Sequence, residues 1–297
     1  MTYKFSCIQC EHASAVPFHL DCRDYFLDKP FRVNYYKCND CGLVQQSPIP
    51  ADVTQFYENY PVHQKKSRLF SLARTWIMSA CYFDTKSISK GNESKLLIDF
   101  GCGDGWFLEG NRGKGLNLAG YELDQGLAGH LSNELKIPIY WDKEELLRDC
   151  EGRADAVTMH FVLEHLTDIN KAFEVVGRLL KPGGTFYFTV PNISSWEARM
   201  FGKKWHNLDA PRHISFPETR SINQLSGRWG FEVARRRGVP FPNGVAGSVP
   251  VVLFGRFKFS IFLLSLPVGI LLSRMFPSGN VAYWLKKLPD NSNSERL

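Results

Sequence analysis

The sequence lacks the features that mark secreted, membrane-spanning or nucleic-acid-binding proteins. Its first ten residues, MTYKFSCIQC, show no apolar core with a cleavage site, so no secretory signal is visible and a reducing cytoplasm is expected. In the most apolar region, 249–276, the longest charge-free run is fifteen residues, whereas a spanning helix needs about twenty. No internal repeat and no extended basic stripe with interleaved aromatic residues is present, which argues against a nucleic-acid partner.

The composition is that of an ordinary folded protein. Hydrophobic residues make up 44% and charged residues 22% of the 297 positions, which excludes a disordered or collagen-like chain. The formal net charge of +6 favours an anionic partner or surface without requiring nucleic acid. This length accommodates one large domain, or a core with a small module.

The eight cysteines divide into two C-x2-C pairs and four single residues. Two such pairs can turn four thiolates toward one zinc ion, which supplies folding energy to a segment too small for its own core. A redox pair is the alternative, but neither pair opens a helix after a strand. We therefore predict a zinc-ribbon module over residues 1–50. Its structural zinc ligands would be Cys7, Cys10, Cys38 and Cys41.

From residue 95 onward, short apolar strands alternate with longer amphipathic segments. The strand segments are KLLIDF, LAGYELD, IPIYW, ADAVTMH and GTFYFTVPN. This alternation predicts an α/β fold with a doubly wound, mostly parallel sheet over residues 93–240. A helical linker is expected before it, over 51–92, and a last strand with a polar tail after it, over 280–297.

A glycine-rich turn follows the first of these strands. In DFGCGDG the bare backbone of Gly101, Gly103 and Gly105 lets a ligand lie against it, although a tight turn without a ligand would need the same residues. Trp106 stands where a dinucleotide fingerprint has its last glycine, and no Lys-Ser or Lys-Thr closes a P-loop. Glu122, at the end of the second strand, is placed to accept hydrogen bonds from two ribose hydroxyls. A ribose without a pyrophosphate fits S-adenosylmethionine.

Four motifs then carry a family resemblance: DFGCGDG, GYELD, ADAVTMHFVLEHLTD and RLLKPGGTFYFTVPN. In this order they resemble the class I S-adenosylmethionine-dependent methyltransferases. The resemblance implies a Rossmann-like seven-stranded sheet, with its sixth and seventh strands at FEVARRRGV and NVAYWLKK and the last strand antiparallel. It also implies a set of cofactor contacts. Asp99 and the glycine turn with Cys102 would hold the methionine part, Asp142 the adenine amino group, and His160 would line the site. Asp142 also reads as an ordinary helix N-cap.

Three histidines are candidates for a general base. Methyl transfer depends chiefly on alignment of the reacting atoms, and a base is needed only when the acceptor must lose a proton. His160 and His165 flank FVLE at the carboxyl end of the fourth strand, where ligands bind in such sheets. His213, in DAPRHISF, is the first candidate because this proline-bounded segment is expected to fold over the cofactor. Arg212 beside it is expected to pair with an acidic acceptor or to be solvated.

An apolar insertion is predicted over residues 241–279, between the sixth and seventh strands. Pro267 is expected to kink its apolar segment, 249–276, or to split it into two short helices. Arg256, Lys258 and Arg274 flank the apolar run as interfacial anchors. The pattern favours a segment that lies in the cytoplasmic membrane face or caps a lipid-like acceptor, and the alternative is a buried helical hairpin or a dimer contact.

Together these features indicate a methyltransferase whose acceptor is a saccharide or a lipid-linked small molecule. The cysteine pairs with LDAPRHISFPETRSINQLSGRWGFEV also resemble a bacterial subgroup found in surface polysaccharide and modified-sugar pathways. One alternative is an RNA methyltransferase that grips its substrate with the ribbon, although CIQCEHASAVPFHLDCRDYF has only Arg23 as a definite cation. A second is a non-catalytic scaffold that binds zinc and an adenosyl ligand. The sequence leaves open the oligomeric state and whether oxygen, nitrogen or carbon is methylated.

Overall fold

The computed structural model describes residues 5–57, 82–88 and 95–289. These residues form one seven-stranded sheet and one four-stranded sheet. Most of the predicted linker, 51–92, and the polar tail beyond residue 289 lie outside the described residues. The described ends of the linker contain two single 3-10 turns, Thr54–Phe56 and Thr85–Ser87.

The large sheet has the strand order β10-β11-β8-β7-β4-β5-β6. Its strands are β4 (Lys95–Phe100), β5 (Leu116–Tyr121), β6 (Ile139–Tyr140), β7 (Ala154–His160), β8 (Leu180–Pro191), β10 (Phe231–Val239) and β11 (Asn280–Lys287). Pairings from β6 through β8 are parallel, and β11 runs antiparallel to both of its neighbours. The predicted α/β class is thus confirmed, and the last two strands occupy the segments predicted for them.

Eight α-helices occur among the described residues, most of them on the two faces of the large sheet. They are α1 (Trp106–Asn111), α2 (Gln125–Leu135), α3 (Lys143–Cys150), α4 (Ile169–Leu179), α5 (Trp196–Phe201), α6 (Thr219–Arg228), α7 (Asn243–Phe254) and α8 (Phe259–Met275). Helix α4 shows how they are built: Asp168 caps its first turn, accepting the N–H of Lys171 at 2.9 Å. Its apolar face packs on the sheet, with Phe173 edge-on to Phe186 of β8.

The four-stranded sheet joins the N-terminal segment to the rest of the chain. Its order is β1-β2-β3-β9, with β1 (Ala15–Arg23), β2 (Arg32–Cys38), β3 (Val44–Gln46) and β9 (Ser215–Phe216). β9 comes from the segment between α5 and α6, and Val44 pairs with Phe216. The loop after Cys7 also docks on two helices, because Asn170 of α4 and Arg228 of α6 donate to the carbonyl of Gln9 at 2.9 and 2.8 Å. The module predicted over 1–50 is therefore built into the same body as the large sheet.

The apolar insertion follows β10 and precedes β11 in the chain. It forms the helices α7 and α8, which pack against each other. The prediction that Pro267 splits this region into two helices is wrong, because Pro267 lies inside α8. The alternative, that Pro267 kinks the helix, stays a prediction. The helices separate at Gly255, whose φ of +69° gives the left-handed conformation that ends a helix. Among the residues that the structure describes, no helix is both long and apolar enough to cross a membrane.

Candidate active site

The turn between β4 and α1 is crowded on its inner side and open on its outer side. Gly101, Gly103 and Gly105 all have φ between +54° and +76°. A Cβ added at Gly101 would lie 2.7 Å from a methyl of Val162, and one at Gly105 would lie 2.8 Å from Leu135. An added Cβ at Gly103 would meet no described atom within 4 Å. The turn therefore requires glycine for its own packing and also presents bare backbone to a ligand.

Glu122 lies beside this open side of the turn, and the ribose contact predicted for it stays a prediction. One carboxylate oxygen accepts the N–H of Gly103 at 2.9 Å, and the other accepts the N–H of Asp124 at 3.3 Å. The side chain is half-buried at the end of β5. A carboxylate in this position is suited to accept hydroxyl hydrogen bonds from a ribose held over Gly103.

Asp142 follows the neighbouring strand, β6, and caps α3. Its Oδ1 accepts the N–H of Glu145 at 2.8 Å, so this oxygen acts as the helix N-cap that the sequence offered as the alternative. Burial, with a smaller contribution from the nearby carboxylates of Asp142 and Glu122, raises the pKa of Tyr121. The adenine contact implied for Asp142 stays a prediction. Cys102 is buried in the turn, and burial raises the pKa of its thiol, which suits packing and not reactivity.

Asp99 and His160 form a buried pair at the carboxyl ends of β4 and β7. Asp99 Oδ1 accepts the hydroxyl of Thr158 at 2.7 Å and lies 3.1 Å from His160 Nδ1. His160 Nε2 accepts the N–H of Phe83 at 3.3 Å, so Nδ1 carries the proton and donates to Asp99. Because both nitrogens are engaged within the protein, the structure does not support His160 as a general base.

The chain leaves β7 through a residue in an unusual conformation. Phe161 has a φ of +58°, in the left-handed region that non-glycine residues rarely adopt, and its N–H donates to the carbonyl of Thr189 at 3.0 Å. The turn that follows places Val162 against Gly101 and continues into the single 3-10 turn Leu163–His165. Local strain of this kind is often retained where it positions functional side chains.

His165 and His213, which the sequence places far apart, lie together with their rings edge to face and 4.6 Å between centroids. His165 Nδ1 lies 3.1 Å from the carbonyl of Arg212 and 2.8 Å from the hydroxyl of Tyr57. His213 Nδ1 lies 2.9 Å from the carbonyl of Asn207. Burial lowers the pKa of both imidazoles, that of His213 to about 3, so both are neutral at pH 7.

Arg212 is neither solvated nor free for an acidic acceptor, and the prediction for it is wrong. Its guanidinium donates two hydrogen bonds to Asp24, at 2.8 and 2.9 Å, and a further bond of 2.7 Å to Asp209. The pair of Arg212 and Asp24 has no exposed side-chain surface. Burial acts to raise the pKa of Asp209, but Arg212 outweighs it and lowers that pKa to about 2. A planar guanidinium in a desolvated position is satisfied here by two carboxylates.

The N-terminal sheet also holds the backbone of the segment that carries His213. The hydroxyl of Tyr35 donates to the carbonyl of His213 at 2.8 Å. The amide of Gln46 donates to the carbonyls of Pro211 and His213, at 2.6 and 2.8 Å. Sequence reasoning missed these residues, because their partners lie 165 to 178 positions away and no local motif marks them.

The four cysteines of the two pairs converge as predicted. Sulfur atoms of Cys7 and Cys41 lie 3.5 Å apart, those of Cys10 and Cys38 lie 3.6 Å apart, and all four lie within 4.8 Å of one another. A tetrahedral zinc ion with Zn–S bonds of about 2.3 Å requires sulfur separations of about 3.8 Å. None of the described cysteines forms a disulfide. The set is compatible with structural zinc.

The sequence also matches a known protein family over the region that contains this site. Residues 82–235, more than half of the chain, match the family model described as a methyltransferase domain. The matched region contains the glycine turn, Glu122 and both histidine-bearing segments.

Two curated relatives share this region, and both are named ubiquinone biosynthesis O-methyltransferase. The protein from Alkalilimnicola ehrlichii is 32% identical over 108 residues, which cover 34% of this chain and 44% of the relative. The protein from Methylococcus capsulatus is 32% identical over 165 residues, which cover 52% of this chain and 69% of the relative. The chain thus spans less than half the length of the first of these relatives.

A solved structure supports the fold. Phosphoethanolamine N-methyltransferase 2 from Haemonchus contortus is 14% identical and aligns with a TM-score of 0.51, covering 83% of this chain and 62% of that chain. At this identity the likeness concerns the fold alone. With the family model matching more than half of its residues, the chain belongs to the class I S-adenosylmethionine-dependent methyltransferase domain family.

Proposed function

We propose that this protein transfers the methyl group of S-adenosylmethionine to a small-molecule acceptor. The observation that carries the proposal is the glycine turn, open at Gly103 and faced by the carboxylate of Glu122. In the transfer, a lone pair of the acceptor forms a bond to the methyl carbon while the carbon–sulfur bond breaks. Its electron pair stays on sulfur and gives S-adenosylhomocysteine. A neutral hydroxyl acceptor also releases its proton.

We further propose that the acceptor atom is an oxygen. Support comes from the two relatives, whose names specify O-methylation. The saccharide or lipid-linked intermediate of a surface polysaccharide, predicted from the sequence, is the more specific form of the proposal. The names of these relatives lend that pathway no support.

The first test concerns the cofactor. Replacing Glu122 with alanine is expected to weaken binding of S-adenosylhomocysteine by about 1 to 3 kcal/mol, because ribose hydroxyls would lose their acceptor in a partly buried site. Isothermal calorimetry measures this change directly. Glu134→Ala removes an exposed carboxylate from α2 and serves as the control, with no change expected. Equal affinities for wild type and Glu122→Ala would remove Glu122 from the site, and no binding by the wild type would refute the proposed function.

Among the described residues, the largest group of exposed apolar side chains lies on the helices α7 and α8 and on the residue that follows α8. These are Val252, Leu253, Phe254, Phe259, Leu263, Leu264, Val268, Leu271, Met275 and Phe276. Three cations, Arg256, Lys258 and Arg274, flank them, and the Lys258 ammonium lies 3.9 Å from the centre of the Phe254 ring. Because apolar side chains with basic flanks complement an anionic bilayer surface, we propose that this helix pair rests on such a surface.

A vesicle assay tests this surface. The wild type is expected to sediment with vesicles of phosphatidylcholine and phosphatidylglycerol, and less so at high salt. The double variant Leu264→Asp with Leu271→Asp should bind at least about tenfold less, since each leucine contributes roughly 1.5 to 3 kcal/mol when buried. Leu20→Asp places one such charge on β1, where Leu20 is exposed, and should bind as the wild type. If the wild type does not bind vesicles but forms a dimer, and the double variant is a monomer, this surface is instead a contact between two copies of the chain.

A further inference from the structure

Glu164 is a buried carboxylate whose side chain has no hydrogen-bond partner among the described residues. Its exposed fraction is 0%, and neither Oε1 nor Oε2 meets a donor among the described residues. Only its backbone is engaged, with its carbonyl accepting the N–H of Ile214 at 2.7 Å. A buried carboxylate of this kind is costly unless a cation or a proton compensates it.

The contacts of Nδ1 decide which nitrogen of each imidazole beside Glu164 is available to a metal ion. Each Nδ1 faces a backbone carbonyl, that of Arg212 for His165 and that of Asn207 for His213. A carbonyl only accepts, so Nδ1 of His213 carries the proton and its Nε2 keeps the lone pair. Nδ1 of His165 also lies 2.8 Å from the hydroxyl of Tyr57, which can donate or accept, so either nitrogen of this ring can carry the proton. Hydrogen bonds from Nδ1 to carbonyl oxygens fix the tautomer and ring orientation of histidines that bind metals through Nε2.

Glu164, His165 and His213 also meet the distance requirement. One ligand atom from each residue can be chosen so that all three lie within 4.8 Å of one another. We propose that these three side chains bind a divalent metal ion, at a site separate from the four cysteines. Two imidazoles and one carboxylate suit zinc, cobalt or iron in the divalent state, and three protein ligands leave coordination positions open.

The place of the cluster in the fold suggests what the open positions hold. Glu164 and His165 follow Val162, which packs against Gly101 of the cofactor turn. If the proposed methyl transfer is correct, the ion holds the acceptor oxygen on this side of the turn. The ion lowers the pKa of that hydroxyl, whose proton passes to water before the oxygen attacks the methyl carbon. His213 then acts as a ligand and not as the general base predicted from the sequence.

The test uses the full chain with zinc bound by the cysteines, titrated with Co2+ and followed by calorimetry and visible absorption. We expect uptake of one further ion, with the weak bands of nitrogen and oxygen ligands and without strong thiolate-to-cobalt absorption. Glu164→Gln, which keeps the shape of the side chain, should lower the affinity for Co2+ by roughly 10- to 100-fold or more. His213→Asn should do the same, and it keeps the test valid if the first variant fails to fold.

Two residues outside the cluster provide matched controls. Glu197 on α5 is 1% exposed, and Glu197→Gln should leave Co2+ affinity unchanged. His206 is a half-buried imidazole of the same segment as His213, and His206→Asn should also bind Co2+ as the wild type does. These controls separate loss of a ligand from a general disturbance of the interior.

The outcomes distinguish this inference from the proposed function. Failure of the wild type to take up Co2+, or unchanged affinity in Glu164→Gln and His213→Asn, overturns the metal site. Binding of S-adenosylhomocysteine, measured in the same samples, would survive either result if the methyltransferase proposal is right. If the wild type takes up Co2+ but does not bind S-adenosylhomocysteine, the metal site is supported and the proposed function is refuted.

Discussion

Replacement of Cys38 by serine is expected to release the metal ion from the four-cysteine cluster and to unfold the four-stranded sheet. Structural zinc contributes roughly 10 to 16 kcal/mol in small modules of this type, and three thiolates hold it far less tightly than four. Cys38 ends β2, and its N–H donates to the carbonyl of Leu43 at 2.9 Å, so its sulfur and its backbone both order the turn that leads into β3. The measurement is zinc content after dialysis, together with the free energy of unfolding.

Cys22→Ser is the control for this variant. Cys22 is buried in the same sheet but lies outside the cluster, and its thiol donates a hydrogen bond to the carbonyl of His19, at 3.7 Å. It should keep its zinc and lose no more than about 1 to 3 kcal/mol of stability. The zinc assignment fails if Cys38→Ser retains full metal, or if the wild type binds none at its cysteines.

Replacement of Asp24 by alanine is expected to lower the free energy of unfolding by about 3 to 5 kcal/mol. Removing one partner of a buried ion pair leaves the other charge uncompensated in a desolvated position. Arg212 would keep Asp209 but lose the two hydrogen bonds that tie its guanidinium to the N-terminal segment. Urea unfolding measures the change.

The matched control for Asp24 is a surface carboxylate four residues further along the chain. Asp28 pairs with Arg23, but the two side chains are 44% and 38% exposed, so Asp28→Asn, which keeps a residue that tolerates the left-handed φ of +55° at this position, should change stability by less than about 1 kcal/mol. Equal losses of unfolding free energy in the two variants would show that the buried ion pair stabilises the protein no more than the exposed one. Asp24→Ala should also weaken Co2+ binding, because Arg212 and His213 are neighbours in the segment that the N-terminal sheet holds.

Features with a local sequence signal were predicted well. The alternation of apolar strands and amphipathic helices has a period that the backbone itself imposes, and it located β4 and β7 at their observed residues. The family resemblance, and not this period, located β10 and β11. Gly101 to Gly105 and the two cysteine pairs are equally local, because a tight turn and a knuckle are each set by a few neighbouring residues.

Features made by distant pairings were not predicted. Arg212 looked solvated because Asp24 stands 188 positions away, and the pairing of β3 with β9 has no short motif. The helix break was assigned to Pro267, although the left-handed conformation at Gly255 ends α7. Glu164 did carry a signal: it is a charged residue within the apolar run FVLEHL, and such a residue needs a partner wherever it is buried.

The arrangement of the small sheet has a consequence for biosynthesis. β9 follows β3 by about 170 residues, and at roughly 5 to 20 residues per second the ribosome needs on the order of 10 to 30 seconds to supply it. During that interval the nascent knuckles can already capture their ion, while one edge of β3 still lacks its neighbour. An unpaired edge of this kind invites association with other chains. Because the cysteine pairs can bind their ion during this interval, early metal binding would protect the thiols from oxidation before the rest of the protein is made and buries them.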